Sequence, residues 1–400
     1  MAIIHKLFTF LKALCAWALY FFSFLIPRSK TVWVFIDHRR KGDEEIFFGN
    51  AKYLFLYASS HKAQYGHPKV IWIAPDKDFA GTLSAFGYSA YASSSLQGIF
   101  YSLRAKYTFA DFHLNRPNWM LSGGTRIIHL WHGTPIKKIG FQRPKHPLAS
   151  STLGKFLCPD TYRQKTSKTL VTSEFQIPTF TEALRISREN IFVAGGPRNV
   201  VFSADTLPNG ALIDVDTDLL EIIESKKYSK HIFYAPTYRR GKGKEEFETA
   251  MNYEDISKWL EANNYFLSVA LHPRRFSQLS GKKDFKNIRF LKRSDIHPIL
   301  AKVDVLINDY SSVFLDFIFT DRPIVFYAYD FEEYIKKEEL NIDYEKDTPG
   351  EKAYSKDELI PALERAIAND VWKGKRAEIR KLYHAQGPAD GADSILKSIL

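Results

Sequence analysis

The sequence predicts an α/β protein made of two doubly wound, parallel-sheet domains. Short apolar runs alternate with helical segments in the first half of the chain, and the same alternation begins again after residue 229. The chain has 400 residues, which is too long for one ordinary core. We expect an apolar N-terminal helix, two sheet domains and closing helices, over residues 1–30, 31–205, 206–375 and 376–400.

The first segment, Leu7–Ile26, contains 20 residues and one charge, Lys12. It lacks the small-residue cleavage site of a signal peptide, although it is long enough to span a bilayer. It also carries Trp17, Tyr20 and several phenylalanines, and basic residues flank both ends, as in helices that lie in a membrane interface. We therefore expect this helix to attach the protein to an anionic membrane surface, with the remaining chain in the cytoplasm.

The first alternating set follows directly. Its strands are predicted at 31–36, 69–74, 106–110, 126–130, 169–172 and 191–194. Helices are predicted at 50–59 and, opened by Ser173, at 173–188. A stretch with Pro208, Asn209 and Gly210 is expected to join the two domains.

The second alternating set begins at His231. Its strands are predicted at 231–234, 266–271, 287–291, 303–307 and 324–327. Its helices are predicted at 253–263, 296–301, 313–319, 356–369 and 372–383. The segment from Val303 to Asp330 is a complete strand–loop–helix–strand unit, so its loop is expected at the carboxyl edge of the sheet, where ligands bind.

Charge and cysteine content narrow the choice of partners. The formal net charge is +11, which is typical of proteins that bind nucleic acid, anionic lipid or phosphorylated substrates. No zinc-finger, RNA-recognition or helix-turn-helix signature is present, so a nucleic-acid partner is not expected. The two cysteines, Cys15 and Cys158, form no Cys-x-x-Cys motif, which argues against a disulfide framework.

Chemically useful side chains follow several of the predicted strands. His132 and Gly133 come after the fourth strand, where a histidine near neutral pKa can take a proton from a hydroxyl; the alternative is a structural loop histidine. Arg198 has a side chain suited to bind a phosphate; the alternative is an exposed arginine in a simple turn. Ser311 and Ser312 suit an anion at a helix N-terminus or serve only as a helix cap.

The second domain repeats this pattern. Thr237 and Arg239 follow its first strand, and His272 follows its second. His132 and His272, one from each half, are therefore expected to face a shared cleft. No carboxylate cluster has metal-ligand spacing, so neither a metal nor another cofactor is expected.

The motifs also resemble those of a known family. WHGTPIKKIG, TSEFQIPTFTEAL, GGPRN, YAPTYR, LHP, INDYSSVFLDF and DRPIVFYAYDFEEY are similar, in this order, to motifs of the CDP-glycerol glycerophosphotransferase family of teichoic-acid synthesis. The resemblance implies a GT-B-type fold, in which two Rossmann-like domains enclose the active site in an interdomain cleft. It also implies attachment to the cytoplasmic face of the membrane, and transfer of glycerol phosphate from CDP-glycerol to a hydroxyl of a lipid-linked saccharide or polyol-phosphate acceptor, with release of CMP.

The resemblance further implies roles for single residues. His132 matches the proposed general base, and His272 matches the histidine that stabilises the transferring phosphoryl or leaving group. The matched motifs place the following residues at the substrates: Gly133, Thr134, Lys137, Arg198, Thr237, Arg239, Asp309, Ser311, Ser312 and Asp316. Asp316 is expected either to meet the nucleotide or to hold its loop.

The chain departs from the family pattern in three places: Val200 stands where an Asp is common, Tyr238 where a Trp is common, and Glu351 where a Pro is common. Three other functions stay open. These are transfer of ribitol phosphate or another polyol phosphate, transfer of a sugar from a nucleotide sugar by the same fold, and non-catalytic binding of an anionic polymer at the membrane.

Overall fold

A computed structural model describes residues 2–36, 47–111, 119–143, 168–237, 251–271, 285–292 and 294–399. The strands are β1 Ser29–Ile36, β2 Lys69–Ala74, β3 Ala90–Ala92, β4 Ala105–Ala110, β5 Arg126–His129, β6 Lys168–Val171, β7 Ile191–Val193, β8 Lys230–Tyr234, β9 Tyr265–Ala270, β10 Ile288–Leu291, β11 Val305–Asn308, β12 Ile324–Tyr327 and β13 Glu351–Ala353.

The helices are α1 Ala2–Ser23, α2 Gly49–Ser60, α3 Lys77–Ala85, α4 Leu96–Arg104, α5 Ile177–Leu184, α6 Thr217–Glu224, α7 Tyr253–Asn263, α8 His297–Leu300, α9 Val313–Phe317, α10 Phe331–Lys337, α11 Tyr344–Asp347, α12 Lys356–Ala368, α13 Lys373–Tyr383 and α14 Gly391–Ile399. Short 3₁₀ segments occupy Glu174–Gln176, Pro197–Phe202 and Ile318–Thr320 among other places.

In the described residues the strands form two parallel sheets, each of which defines a unit. The first sheet has the order β3-β2-β1-β4-β5-β6-β7, and the second has the order β10-β9-β8-β11-β12-β13. We call these sheets, with the helices that cover them, the first unit and the second unit. In both units the strand order reverses beside the first strand, at β1/β4 and at β8/β11, and a crevice for a ligand forms at such a point. The α/β prediction with two parallel sheets is confirmed.

The strands form because they bury apolar side chains on both of their faces. In β1, Trp33 and Phe35 pack into the large core of the first unit, whereas Val32 and Val34 pack into a smaller cluster on the other face. This alternation between two buried faces is typical of a parallel sheet covered by helices on both sides. The same principle explains β12, whose Phe326 and Val325 enter different cores of the second unit.

The predicted helix over 173–188 is shorter in the structure. Ser173 precedes a 3₁₀ turn, and α5 starts at Ile177 because Pro178, which has no N–H, fits best in the first helical turn. The helix ends at Leu184, since Arg185 adopts a left-handed conformation with φ 52°. Among the described residues, three edge strands have three residues each; β7 was predicted, as 191–194, whereas β3 and β13 were not.

The last helix, α14, returns to the first unit. Its Ala392, Ile395 and Leu396 belong to the same core cluster as Trp33. Gly391 allows this return, because a Cβ atom there would lie 2.3 Å from the carbonyl oxygen of Gly195. The bounds of the four predicted segments, including 376–400 as closing helices, stay a prediction.

The first helix, α1, packs on the first unit through its C-terminal turns. The hydroxyl of Ser23 accepts a hydrogen bond from the Gly123 N–H at 2.8 Å, and the Trp17 and Trp119 rings lie 5.5 Å apart. Arg28, just after the helix, donates to the carbonyls of Ser102 and Leu121. Within the described part of the chain, every helix is too short or too polar to cross a bilayer.

Candidate active site

The His132 loop follows β5 at the carboxyl edge of the first sheet. Trp131 takes a left-handed conformation with φ 57°, which turns the chain sharply and leaves His132 exposed. The His132 ring stacks on the Trp131 ring with centroids 4.8 Å apart, and its Nδ1 lies 3.5 Å from the carbonyl oxygen of Asp111. A carbonyl only accepts, so this contact favours the proton on Nδ1 and leaves Nε2 as the basic nitrogen.

Asp111 is a site residue that the sequence analysis missed. It follows β4 directly, at the switch point of the first sheet, and is buried. Its carboxylate accepts a hydrogen bond from the Ala51 N–H at 2.9 Å, and its carbonyl lies 3.1 Å from Nε2 of His129. A polar residue directly after a strand was the signal that identified His132, and the same rule would have identified Asp111.

At the switch point of the second sheet, Asp309 holds the loop that follows β8. Its carboxylate accepts from the Thr237 N–H at 2.8 Å, from the Thr237 hydroxyl at 2.6 Å and from the Tyr310 N–H at 2.6 Å. Asp309 is fully buried, and the Tyr344 hydroxyl donates to its carbonyl at 3.0 Å. The structure therefore brings the predicted residues Thr237 and Asp309 together, with Asp309 organising the backbone around the site.

The two units meet where the His132 loop reaches the serine loop before α9. A Cβ atom on Gly133 would lie 3.0 Å from the hydroxyl of Ser312 and 3.2 Å from Nη2 of Arg198. Gly133 has φ 140°, a conformation that residues with a side chain rarely adopt, so glycine permits this close approach. Ser311 and Ser312 are half-buried, and the helix behind them, α9, has only five residues before it tightens into a 3₁₀ turn.

Arg198 and Asp316 form a buried ion pair between the units, next to Gly133. Nη2 of Arg198 lies 2.6 Å and Nε lies 3.3 Å from the two carboxylate oxygens of Asp316. Nη1 donates to the carbonyl of His132 at 2.7 Å. Burial acts to raise the pKa of Asp316, but the Arg198 guanidinium and His297 outweigh it and hold that pKa at about 2. Arg198 thus links the His132 loop to Asp316 of the second unit. The role expected of Asp316 at the nucleotide or its own loop stays a prediction.

A second buried ion pair lies behind Asp316. His297 places Nε2 3.7 Å from Oδ2 of Asp316, and its Nδ1 lies 3.0 Å from Oδ1 of Asp295. The other oxygen of Asp295 accepts from the Lys52 ammonium at 2.8 Å and from the Tyr53 hydroxyl at 2.9 Å. Burial acts to raise the pKa of Asp295, but Lys52 and His297 lower it well below its usual range. The sequence analysis identified none of Lys52, Tyr53, Asp295 and His297, since no strand ends at them.

Lys137 lies where the chain after Thr134 packs on the second unit. Lys137 forms a backbone bridge with Leu340, and its ammonium lies 5.4 Å from the centre of the Tyr334 ring. Asn341 accompanies this contact by donating to the carbonyls of Pro135 and Lys137. The loop that carries His132 is therefore fixed on both sides by the second unit.

A cavity of about 20 Å³ lies beneath the His132 loop. Thr134 and Gln176 of the first unit line it together with Asp316 of the second, and the buried His384 lies beside them. Burial lowers the pKa of His384, so its ring is neutral near pH 7. A space of this size holds a water molecule but not a nucleotide. The predicted site residues His272 and Arg239 lie outside the described residues, as does Tyr238.

Comparisons with known proteins agree with this architecture. The model of the family described as CDP-Glycerol:Poly(glycerophosphate) glycerophosphotransferase matches residues 18–400. The teichoic acid ribitol-phosphate polymerase TarL of Staphylococcus aureus is 30% identical over 280 residues, which are 68% of this chain and 47% of TarL. A teichoic acid poly(glycerol phosphate) polymerase of Bacillus spizizenii is 27% identical over 354 residues, 85% of each chain.

Among solved structures, the wall teichoic acid polymerase TagF has a TM-score of 0.74 at 19% identity, with 99% of this chain and 97% of that chain covered. This likeness shows that the two chains share a GT-B-type fold. The chain spans about half the length of the staphylococcal ribitol-phosphate polymerases that it matches. Because the family model covers nearly the whole sequence, the chain belongs to the CDP-glycerol:poly(glycerophosphate) glycerophosphotransferase family.

Proposed function

We propose that the protein transfers glycerol phosphate from CDP-glycerol to a hydroxyl of a membrane lipid-linked acceptor in the synthesis of teichoic acid or a similar cell-surface polymer. The observation that carries this proposal is the close approach of Gly133 to Ser312, where the histidine loop of one unit lies against the serine loop of the other. This proximity supports a single cleft that is lined by the proposed base and by the proposed diphosphate-binding loop. The wall teichoic acid polymerase TagF, which shares the fold, has been solved after a soak with CDPG.

In the proposed reaction, the acceptor oxygen attacks the phosphorus that carries glycerol. The new O–P bond forms as the bond between this phosphorus and the oxygen of CMP breaks, and His132 takes the proton of the acceptor hydroxyl through Nε2. Negative charge on the transferring group is stabilised by donors around the serine loop, with Arg239 and His272 assigned there by the family motifs. Positioning and charge stabilisation supply most of the rate enhancement in such transfers.

Ribitol phosphate is a second candidate for the transferred group. It is favoured by the staphylococcal relatives, two of which are teichoic acid ribitol-phosphate polymerases. CDP-glycerol and CDP-ribitol share the diphosphate and the cytidine, so residues proposed to bind those parts, such as Ser312, do not separate the two donors. The choice depends on the pocket for the polyol hydroxyls.

The donor is identified by measuring CMP and UDP release. The protein, with a lipid-linked disaccharide as acceptor, is offered CDP-glycerol, CDP-ribitol or a panel of UDP-sugars. We expect CMP from CDP-glycerol at a rate at least about 10-fold above that from CDP-ribitol, since a site built for one substrate rejects an analogue that leaves its polar groups unpaired. The reverse order would assign ribitol phosphate. UDP from a sugar, without CMP from either donor, would assign a glycosyltransferase.

We further propose that α1 lies on the cytoplasmic face of the cell membrane, where the lipid-linked acceptor is found. Its last turns expose large apolar side chains to solvent, with exposed fractions of 64% for Phe21, 58% for Phe22 and 74% for Leu25. Lys30 follows shortly after the helix, is exposed, and suits anionic headgroups. Aromatic and apolar side chains beside basic residues are typical of helices that bind a membrane interface.

Replacing Phe21, Phe22 and Leu25 together by serine is expected to weaken binding to vesicles of anionic phosphatidylglycerol by about 10-fold or more. Each large apolar side chain contributes about 2 kcal/mol when it leaves water, and only part of that is realised at an interface. Co-sedimentation with vesicles measures the effect. A matched variant carries serine at three exposed apolar positions far from α1 in the sequence, Phe86, Leu212 and Val371, and is expected to bind like the wild type. Equal binding by both variants would exclude α1 as the attachment surface.

A further inference from the structure

Five buried ionisable side chains form a continuous row of alternating charge between the two units. We call Lys52, Asp295, His297, Asp316 and Arg198, in this order, the charged row. Successive members lie 2.8, 3.0, 3.7 and 2.6 Å apart. Each side chain in it is less than a tenth exposed. Groups that are buried this deeply are costly unless each is paired, so the row is a built feature of the protein interior.

The row begins and ends on the first unit, and its middle belongs to the second. Lys52 lies on α2, and Arg198 lies in the 3₁₀ segment Pro197–Phe202. Asp295 and His297 lie at the start of α8, and Asp316 lies in α9. Lys52 also donates to the carbonyls of Ala211 and Ile213, in the segment that joins the units. The row therefore fastens the second unit to the first at both ends.

The row favours a charged imidazolium at its centre, where Nδ1 is hydrogen-bonded and Nε2, at 3.7 Å from Asp316, makes a longer ion-pair contact. Nδ1 of His297 faces a carboxylate oxygen of Asp295, and Nε2 faces a carboxylate oxygen of Asp316. A neutral histidine carries one N–H, so one of its nitrogens would direct a lone pair at a carboxylate. Burial acts to lower the pKa of His297, but the two flanking carboxylates outweigh it and raise this pKa above its ordinary value.

Among the described residues, Arg198 is a further charged group that acts on His297, whereas Lys52 and Tyr53 contact Asp295 and His384 acts on Asp316. The positive charge of Arg198 acts to lower the pKa of His297. Lys52 does not act on His297 directly; it lowers the pKa of Asp295, which in turn contacts His297. Burial, together with Asp295, raises the pKa of Tyr53, and burial lowers the pKa of His384, so both are neutral near pH 7. Two carboxylates therefore hold the His297 proton against the influence of nearby cations.

The far end of the row reaches the proposed base. Arg198 uses two nitrogens to hold Asp316 and the third to donate to the carbonyl of His132. We propose that His297 is a positioning residue, which completes the charged row and thereby keeps Arg198 against the backbone of the His132 loop. This inference rests on the proposed role of His132 as the base. Misplacing a catalytic group by about 1 Å lowers rates by on the order of 100-fold.

The test replaces His297 by glutamine, which retains an N–H for Asp295 but carries no charge. We expect the His297→Gln variant to lose roughly 10- to 100-fold in kcat for CMP release while KM for CDP-glycerol changes by less than about 3-fold. We also expect it to lose the alkaline fall in kcat that the wild type shows when His297 gives up its proton. A purely structural defect would lower the amount of folded enzyme and leave this pH profile unchanged.

A second measurement needs no turnover. Because the pKa of His297 is raised in the folded protein, its contribution to stability is complete below the ordinary histidine pKa and is lost as pH rises through the folded value. The thermal midpoint of the wild type should therefore fall more steeply above neutrality than that of His297→Gln. If no CDP-polyol is turned over, the proposed function fails, and the thermal measurement still decides whether His297 carries the charge of the row.

His231 provides the matched control, since it is also buried but lies in β8 outside the row, and burial lowers its pKa. The His231→Gln variant is expected to keep the wild-type kcat and the wild-type alkaline limbs of both pH profiles. Because the pKa of His231 is lowered, its own effect on stability falls on the acid side. The inference is overturned if His297→Gln retains the alkaline fall in kcat and in thermal midpoint, or if His231→Gln alters them equally.

Discussion

Replacing His132 by asparagine is expected to lower kcat for CMP release by about 100-fold or more, with the fold intact. General bases contribute about 10²- to 10⁴-fold to the rates of enzymes that use them. Asparagine keeps a donor for the carbonyl of Asp111 but has no basic nitrogen to take the acceptor proton. Because His132 is exposed, the substitution creates neither a cavity nor a buried unpaired group, and the free energy of unfolding should stay within about 0.5 kcal/mol of the wild type.

The same substitution at His67, an exposed histidine after β1 and α2, serves as the control. His67 has φ 53°, and asparagine tolerates this left-handed conformation better than most residues do. The His67→Asn variant should keep full activity. Near-normal turnover by His132→Asn would show that another group takes the proton.

Replacing Asp316 by leucine is expected to reduce the free energy of unfolding by about 3–5 kcal/mol. The substitution leaves the guanidinium of Arg198 buried without its counter-charge, and removing one partner of a buried ion pair has this cost. It also leaves His297 with one carboxylate in place of two. Urea denaturation measures the loss as a lower midpoint at an unchanged slope.

A double variant, Arg198→Met with Asp316→Leu, separates stability from activity. Apolar replacement of both partners avoids a stranded charge, so the double variant should recover most of the lost stability. It should not recover turnover, because no guanidinium then donates to the carbonyl of His132. If Asp316→Leu lowered the free energy of unfolding by less than about 1 kcal/mol, water would have to reach Arg198, and the ion pair would not stabilise the packing of the two units.

The strands were predictable because each one is a continuous apolar run bounded by turn residues. β2 and β12 have the predicted bounds, 69–74 and 324–327, since Pro75 and Pro323 lie directly next to these runs. β3 and β13 have three residues each and pair at the sheet edges. A run of three residues is too short to show an alternating apolar pattern, so such a strand is identified only from its pairing with a neighbouring strand.

The site was predictable to the extent that it lies at strand ends. His132, Thr237, Asp309 and Ser312 all follow strands, and the structure places them in loops at the carboxyl edges of the two sheets. The charged row had no such signal. Its members come from α2, α8, α9 and the segment after β7, and a lysine in the middle of a helix is normally solvated. Arg198 and Asp316 were both identified, but their pairing depends on how the two units pack together.

The return of α14 to the first unit also affects the order in which the protein folds during synthesis. A ribosome makes the chain from its N-terminus, and domains that are contiguous in sequence fold as they emerge. The first sheet here stays open on one side until Ala392, Ile395 and Leu396 have been made. The nascent first sheet therefore presents apolar surface throughout synthesis of the second, and it reaches its final packing only once residues 392–396 have been made.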